Sequence, residues 1–356
     1  MGGKLKYYKE LDGLRGFAAL TIFFFHFLHG QKITGALPTA AMKLISFGPT
    51  MANLFFVLSG FLITQILLSA KGSDNFFSRY YTRRILRIFP LYYLASLIYF
   101  FGLPLLHHRT LPSWDMQWFN WVHLQNLPLT FRWPHAGPKY LWSLAVEEHF
   151  YMLWPLLVFW CNKRQMITCS VVIFLVAVFS RFILTQNHYP VFYFTFSTMD
   201  ALSIGAIAGI LNYHNDFPKY KTGIKATAIA TGIPTVVLWL LFFGTKNGTF
   251  HTLMPVAINI FYASALCLIV QSGESNRVKK LLTSRALMFV GTVSYGLFIF
   301  HPLCISFTRR VLSQYDTGLQ LTVSLIASIA VATLSYFLFE RWFMGLRIYK
   351  GHTKTV

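Results

Sequence analysis

Leu11–Phe27 reads LDGLRGFAALTIFFFHF, a run long and apolar enough to cross a bilayer that nevertheless carries Asp12, Arg15 and His26. In hydrocarbon each ionisable side chain costs several kcal/mol unless it is paired or solvated, so each marks a functional hypothesis. Eleven residues separate Arg15 from His26. On a helix, at about 100° per residue, they point the same way to within about 20° and lie about 16 Å apart along the axis. One face of this span thus holds a cation near one end and an imidazole near the other. Ala18 and Ala19 lie between them, small enough to leave a groove against a neighbouring helix.

The rest of the chain sets this span in a membrane protein. Of 356 residues, 55% are hydrophobic, 18% aromatic and only 12% charged, and the mean hydropathy is +0.51. Soluble domains are about a quarter charged. Apolar runs recur at roughly 12–29, 48–69, 85–106, 143–160, 168–184, 191–211, 224–243, 251–270, 286–307 and 319–340. The fold expected is all-α, a polytopic membrane bundle of about ten transmembrane helices in one domain over residues 1–356. No small-residue cleavage site follows the first run, which is expected to stay in the mature fold. Cys161, Cys169, Cys267 and Cys304 lack metal-ligand spacing and read as packing residues.

A net charge of +20 raises the question of a nucleic-acid partner. Most basic residues fall on alternate connections, among them Lys4, Lys6 and Lys9, Arg79 to Arg87, Lys219, Lys221 and Lys225, Lys279 and Lys280, and Lys350 and Lys354. That pattern sets orientation, with both termini cytoplasmic. Anionic membrane lipids account for much of the basic excess, and no nucleic acid is expected.

Polar residues recur at matching depth. The fourth run opens LWSLAVEEHFY and puts Glu147 and Glu148 one to two turns below its outer end, near the level of His26. The ninth reads SYGLFIFHPL and brings His301 to the same half. A histidine beside a carboxylate in a dry pocket suits a general base with its orienting partner. A satisfied interior histidine is the plainer reading of His26 taken singly, and His301, next to Pro302, fits either that or a functional role. Arg83, Arg84 and Arg87, just before Pro90, fit either a positive-inside anchor or a phosphate site built from guanidinium forks. Joined to Arg15, they suggest a long ligand with a phosphorylated head and a slender reactive arm. The Trp- and His-rich stretch 107–142 serves either as interfacial anchors or as a platform for a sugar-like acceptor.

These stretches together resemble the acyltransferase-3 family of integral membrane acyltransferases over nearly the whole chain. The matching segments are LDGLRGFAAL with His26 following, FFVLSGFLIT, RRILRIFPLYYL, LWSLAVEEHFY, SYGLFIFHPL and FERWF. The resemblance implies a ten-helix bundle in the bacterial plasma (inner) membrane. It would use cytoplasmic acyl-CoA, usually acetyl-CoA, to acylate a surface glycan or lipid-linked glycan such as lipopolysaccharide O-antigen, without a metal. It implies that His26 is the catalytic base, Arg15 its motif partner and Glu147 the stabiliser of the imidazolium. Arg83, Arg84 and Arg87 would hold the CoA phosphates, with His301 and Glu148 as supporting residues. Relatives often have Asp at the position of Asn53, and Arg at that of Thr198, two residues before Asp200. Asp200 is therefore expected to be protonated or paired elsewhere. Many relatives also carry an appended soluble hydrolase-like domain, which is not expected here. The competing reading is a transporter or flippase using the same intramembrane polar residues as a path; the absence of an inverted repeat weighs against it.

Overall fold

In a computed structural model that describes residues 7–29, 45–242 and 248–349, all regular secondary structure among the described residues is helical. In chain order the helices are α1 Lys9–Leu28, α2 Met51–Ala70, α3 Phe76–Leu97, α4 Trp114–Trp121, α5 Asn126–Phe131, α6 Trp142–Trp160, α7 Lys163–Gln186 and α8 Thr195–Tyr213. They continue with α9 Phe217–Phe242, α10 Gly248–Gln271, α11 Arg277–Leu282, α12 Arg285–Thr292, α13 Ser294–Val311, α14 Thr317–Ser335 and α15 Arg341–Tyr349. A π turn at Ile98–Gly102 prolongs α3, and another at Tyr336–Glu340 joins α14 to α15. Lys4, Lys6, Lys350 and Lys354 lie outside the described residues.

Seven of the described helical stretches are long and apolar enough to cross a membrane, and α12 with α13, bent by 78°, makes an eighth if counted as one broken span. The 19-residue helices α6 and α8 are not in that set. They carry Glu147, Glu148 and Asp200, which lower their hydropathy; α8 is buried along most of its length, whereas α6 is buried around Glu148 and exposes Met152, Leu153 and Trp160. The protein is thus a multi-pass helical membrane bundle. Its outer helices turn bare apolar faces outward, as at Val172, Leu175 and Phe179 of α7 and Ile326 and Leu334 of α14.

Close backbone contacts fix the helices that carry the polar residues. Without lipid-excluding hydrophobic gain between helices, van der Waals contact through small residues is what holds them. A Cβ on Gly205 of α8 would lie 2.2 Å from the Val57 carbonyl oxygen of α2, and one on Gly16 of α1 would lie 2.2 Å from that of Leu287 of α12. Ala18 and Ala19 are buried in the hydrophobic core, so the groove expected beside them is filled. Open space on α1 lies instead beside Arg15, Ile22 and His26.

The stretch 107–142 forms a small helical cap. Tyr92 of α3 donates to the Asn120 carbonyl at 2.7 Å, and the His123 ring stacks on Tyr92 with centroids 4.2 Å apart. Gln125 donates to the Leu141 carbonyl at 2.8 Å, which pins the 3-10 turn Lys139–Leu141 that leads into α6. Several of its aromatics are therefore structural, while Trp114 and Trp133 stay exposed.

Candidate active site

His26, near the end of α1, meets His301 of α13. His26 Nδ1 lies 2.7 Å from His301 Nε2, and the rings stack with centroids 5.0 Å apart. His301 Nδ1 in turn lies 2.9 Å from the Leu297 carbonyl oxygen. A carbonyl only accepts, so His301 Nδ1 carries the hydrogen. A neutral His301 then offers its Nε2 lone pair, and His26 Nδ1–H donates to it. His26 Nε2 is left as the nitrogen with a free lone pair. His301 is 1% exposed, whereas half-buried His26 lines a cavity of about 200 Å³ together with Phe25, Lys139, Tyr140, Trp142 and Ser143. The bend between α12 and α13 and the Tyr140 hydroxyl, which donates to the Ile299 carbonyl at 2.7 Å, set the position of α13 here.

Glu147 belongs to a different layer. Its Oε1 accepts from the Ser59 hydroxyl at 2.7 Å, and Ser59 accepts from the Tyr151 hydroxyl at 3.0 Å. Glu147, expected near the level of His26 as the stabiliser of its imidazolium, instead accepts from Ser59, and His26 pairs with His301. Glu147 lines a cavity of about 120 Å³ with Arg15, Arg84 and Arg87. Arg15, Arg84 and Arg87 also line a cavity of about 210 Å³ with Asp12 and Gln65, and Arg84 and Arg87 a third of about 380 Å³ with Arg79 and Arg83. Arg15 pairs with Asp12 at 3.4 Å, and the guanidinium of Arg84 lies over the Tyr151 ring, 4.9 Å from its centroid. Glu148 is buried and lines none of these four cavities.

Each cavity shares lining residues with the next. The series runs from the Arg79–Arg87 cluster past Arg15 and Glu147 to His26, along the Arg15–Ile22–His26 face of α1. Sequence reasoning left out Arg79, Ser59, Tyr151 and Lys139 as site residues. Tyr151 was within reach, since it follows Glu147 by four residues and shares its helix face.

The model of the acyltransferase domain of the acyltransferase-3 family matches residues 8–337. The chain belongs to the acyltransferase-3 family. Among curated acyltransferase-3 relatives, it is 26% identical to the peptidoglycan O-acetyltransferase OatA of Listeria monocytogenes, over 93% of this chain and 55% of that protein. It is 27% identical to the putative peptidoglycan O-acetyltransferase YrhL of Bacillus subtilis, over 94% and 55%. To the O-acetyltransferase OatA of Staphylococcus aureus it is 25% identical, over 93% and 56%. The chain spans about half the length of these relatives. No solved structure matches it.

In this acyltransferase-3 chain Asp200 is paired, though not by a neighbour in sequence. Arg181 of α7 donates to Asp200 Oδ2 at 2.7 Å, to the Ser197 carbonyl at 2.5 Å and to the Thr252 carbonyl at 3.2 Å. Asn259 donates to the same carboxylate oxygen at 2.9 Å, and Asn53 donates to Asn259 at 2.7 Å. Arg181 and Asp200 are 1% and 0% exposed, which makes them a fully buried ion pair held by four helices. Among the described residues no group of three or more His, Cys, Asp or Glu side chains is placed to hold a metal ion.

Proposed function

We propose that this acyltransferase-3 protein is an O-acetyltransferase of the bacterial plasma membrane that moves acetyl from cytoplasmic acetyl-CoA to a hydroxyl of a surface glycan. The observation that carries this reading is the series of cavities joining four arginines to His26. Guanidinium forks at Arg79, Arg83, Arg84 and Arg87 suit the phosphates of CoA. The pantetheine arm then passes Arg15 and Glu147 and brings the thioester to the cavity of His26. On this reading the arginine end faces the cytoplasm together with both termini, and the chain crosses the membrane ten times. The names of the relatives favour peptidoglycan as acceptor over the lipopolysaccharide O-antigen suggested by the sequence.

In the reaction His26 Nε2 takes the proton of the acceptor hydroxyl as its oxygen attacks the thioester carbonyl. His301 orients the imidazole and shares the resulting charge; Glu147, in the neighbouring layer, braces Ser59 and Tyr151 around the arm. Removing the orienting partner by His301→Ala is expected to lower kcat by about 10²-fold. His301→Gln, whose side-chain oxygen still accepts from His26 Nδ1, is expected to recover part of that loss.

The donor site is tested with membranes supplied with radiolabelled acetyl-CoA and glycan. Arg84→Glu is expected to raise KM for acetyl-CoA about 10- to 100-fold, the value of one or two charge-assisted bonds of about 1.5–3 kcal/mol. KM for the glycan should hold. An unchanged KM for acetyl-CoA would leave the cluster a topological anchor and remove the donor site from this end of the bundle.

A further inference from the structure

Ile22, Ala52, Ser143 and Phe298 line both the cavity of Glu147 and the cavity of His26. They frame the passage between the space assigned to the donor arm and the space open to the acceptor. Three of them are apolar and offer a reacting group nothing but shape. Ser143 is the only one of the four with a polar hydrogen.

Among the described residues that hydrogen has no acceptor. Serines within helices often spend their hydroxyl on a carbonyl one turn earlier, as Ser96 does on Tyr92 and Ser170 on Met166. Ser143 is half-buried, sits in the first turn of α6, and its side chain makes no hydrogen bond with the described residues. Glu147 follows one turn later on the same helix face, and its carboxylate is already engaged by Ser59.

On the reading that acetyl-CoA is the donor and His26 the base, the acyl carbon changes hands at this passage. We infer that Ser143 is a further catalytic residue, whose hydroxyl donates to the thioester carbonyl oxygen as that oxygen becomes an oxyanion. The acceptor oxygen bonds to the carbonyl carbon while its proton goes to His26 Nε2, and the carbonyl π pair moves to the oxygen held by Ser143 Oγ–H. On collapse that pair re-forms the carbonyl, the C–S bond breaks, and the thiolate takes the proton from His26 to leave as CoA thiol. Acetyl-CoA and a hydroxyl become an acetyl ester and CoA. An oxyanion donor acts on the transition state more than on the bound substrate, so its loss falls on kcat.

The test uses the full chain in lipid, with kcat and KM for acetyl-CoA measured on a glycan acceptor. Ser143→Ala is expected to lose about 10²–10³-fold in kcat, with KM for acetyl-CoA held within about twofold, the reverse of the Arg84→Glu pattern. Ser143→Thr, which keeps the hydroxyl, is expected to retain most of the rate, and thermal unfolding of the Ala variant should match wild type. A kcat for Ser143→Ala equal to wild type would overturn the inference, as would an acetyl group trapped on Ser143 in the absence of acceptor, which would make it an acyl carrier. Failure of the underlying reading looks different: wild type itself would transfer no label from acetyl-CoA.

Discussion

Glycan acetylation is expected to disappear in His26→Ala, by about 10²–10⁴-fold, the contribution of a positioned general base, while the protein remains folded in the membrane. The expectation rests on three linked facts. His26 lies on the face of α1 that opens onto the cavities, its Nδ1 is committed to His301, and its Nε2 is left with a lone pair. Its replacement removes the only one of the two stacked histidines that faces the cavity, since His301 is buried behind it. The change strands the buried Nε2 of His301, at a cost of about 1–3 kcal/mol, while Phe23 and Phe27 keep the apolar packing of this turn. The check is radiolabelled acetyl incorporation alongside a thermal unfolding curve. Retained transfer with an intact fold would remove His26 from the chemistry.

Asp200→Ala is expected to do the opposite: to weaken the fold far more than any local contact at His26 would suggest. It leaves the Arg181 guanidinium buried with two carbonyls and no carboxylate, and strands the Asn259 amide that now donates to Asp200. Breaking a buried pair by removing one partner costs about 3–5 kcal/mol. The double variant Arg181→Met with Asp200→Leu removes both charges and should recover much of that loss, since a buried pair replaced by apolar residues is often neutral. Unfolding in detergent or lipid, read by temperature, separates the cases. A double variant as unstable as the single one would mean that Asp200 matters through Asn259 and Asn53 rather than through Arg181.

The two effects show what the sequence could and could not convey. Hydropathy located the helical rods, including α6 and α8, whose polar residues made them look like functional spans and kept them out of the plainly apolar set. The Arg15–His26 register followed from helix geometry alone, and the cavities run along that face. What needed coordinates were relations between helices. His26 and His301 are 275 residues apart, and no spacing rule pairs them. The Arg181 that satisfies Asp200 sits on the preceding helix, not at the position of Thr198, so only the bundle reveals it. Ala18 and Ala19 differ from the expected groove for a related reason: small residues permit either a groove or a tight crossing, and which one arises depends on the neighbours, here the main core for Ala18 and Val290 and Val293 for Ala19. The helices of the cap, α4 and α5, were hidden by their shortness within a stretch that read as loop.

That donor and acceptor reach one histidine from opposite ends of the cavity series can be measured in sealed membrane vesicles of the wild-type protein. Labelled acetyl-CoA is placed either with the arginine cluster or on the other side, and glycan acceptor is supplied on the His26 side. The expected result is labelled glycan only when acetyl-CoA shares the compartment of Arg79–Arg87, and none with His26→Ala. Equal labelling with acetyl-CoA supplied only on the acceptor side would contradict the account.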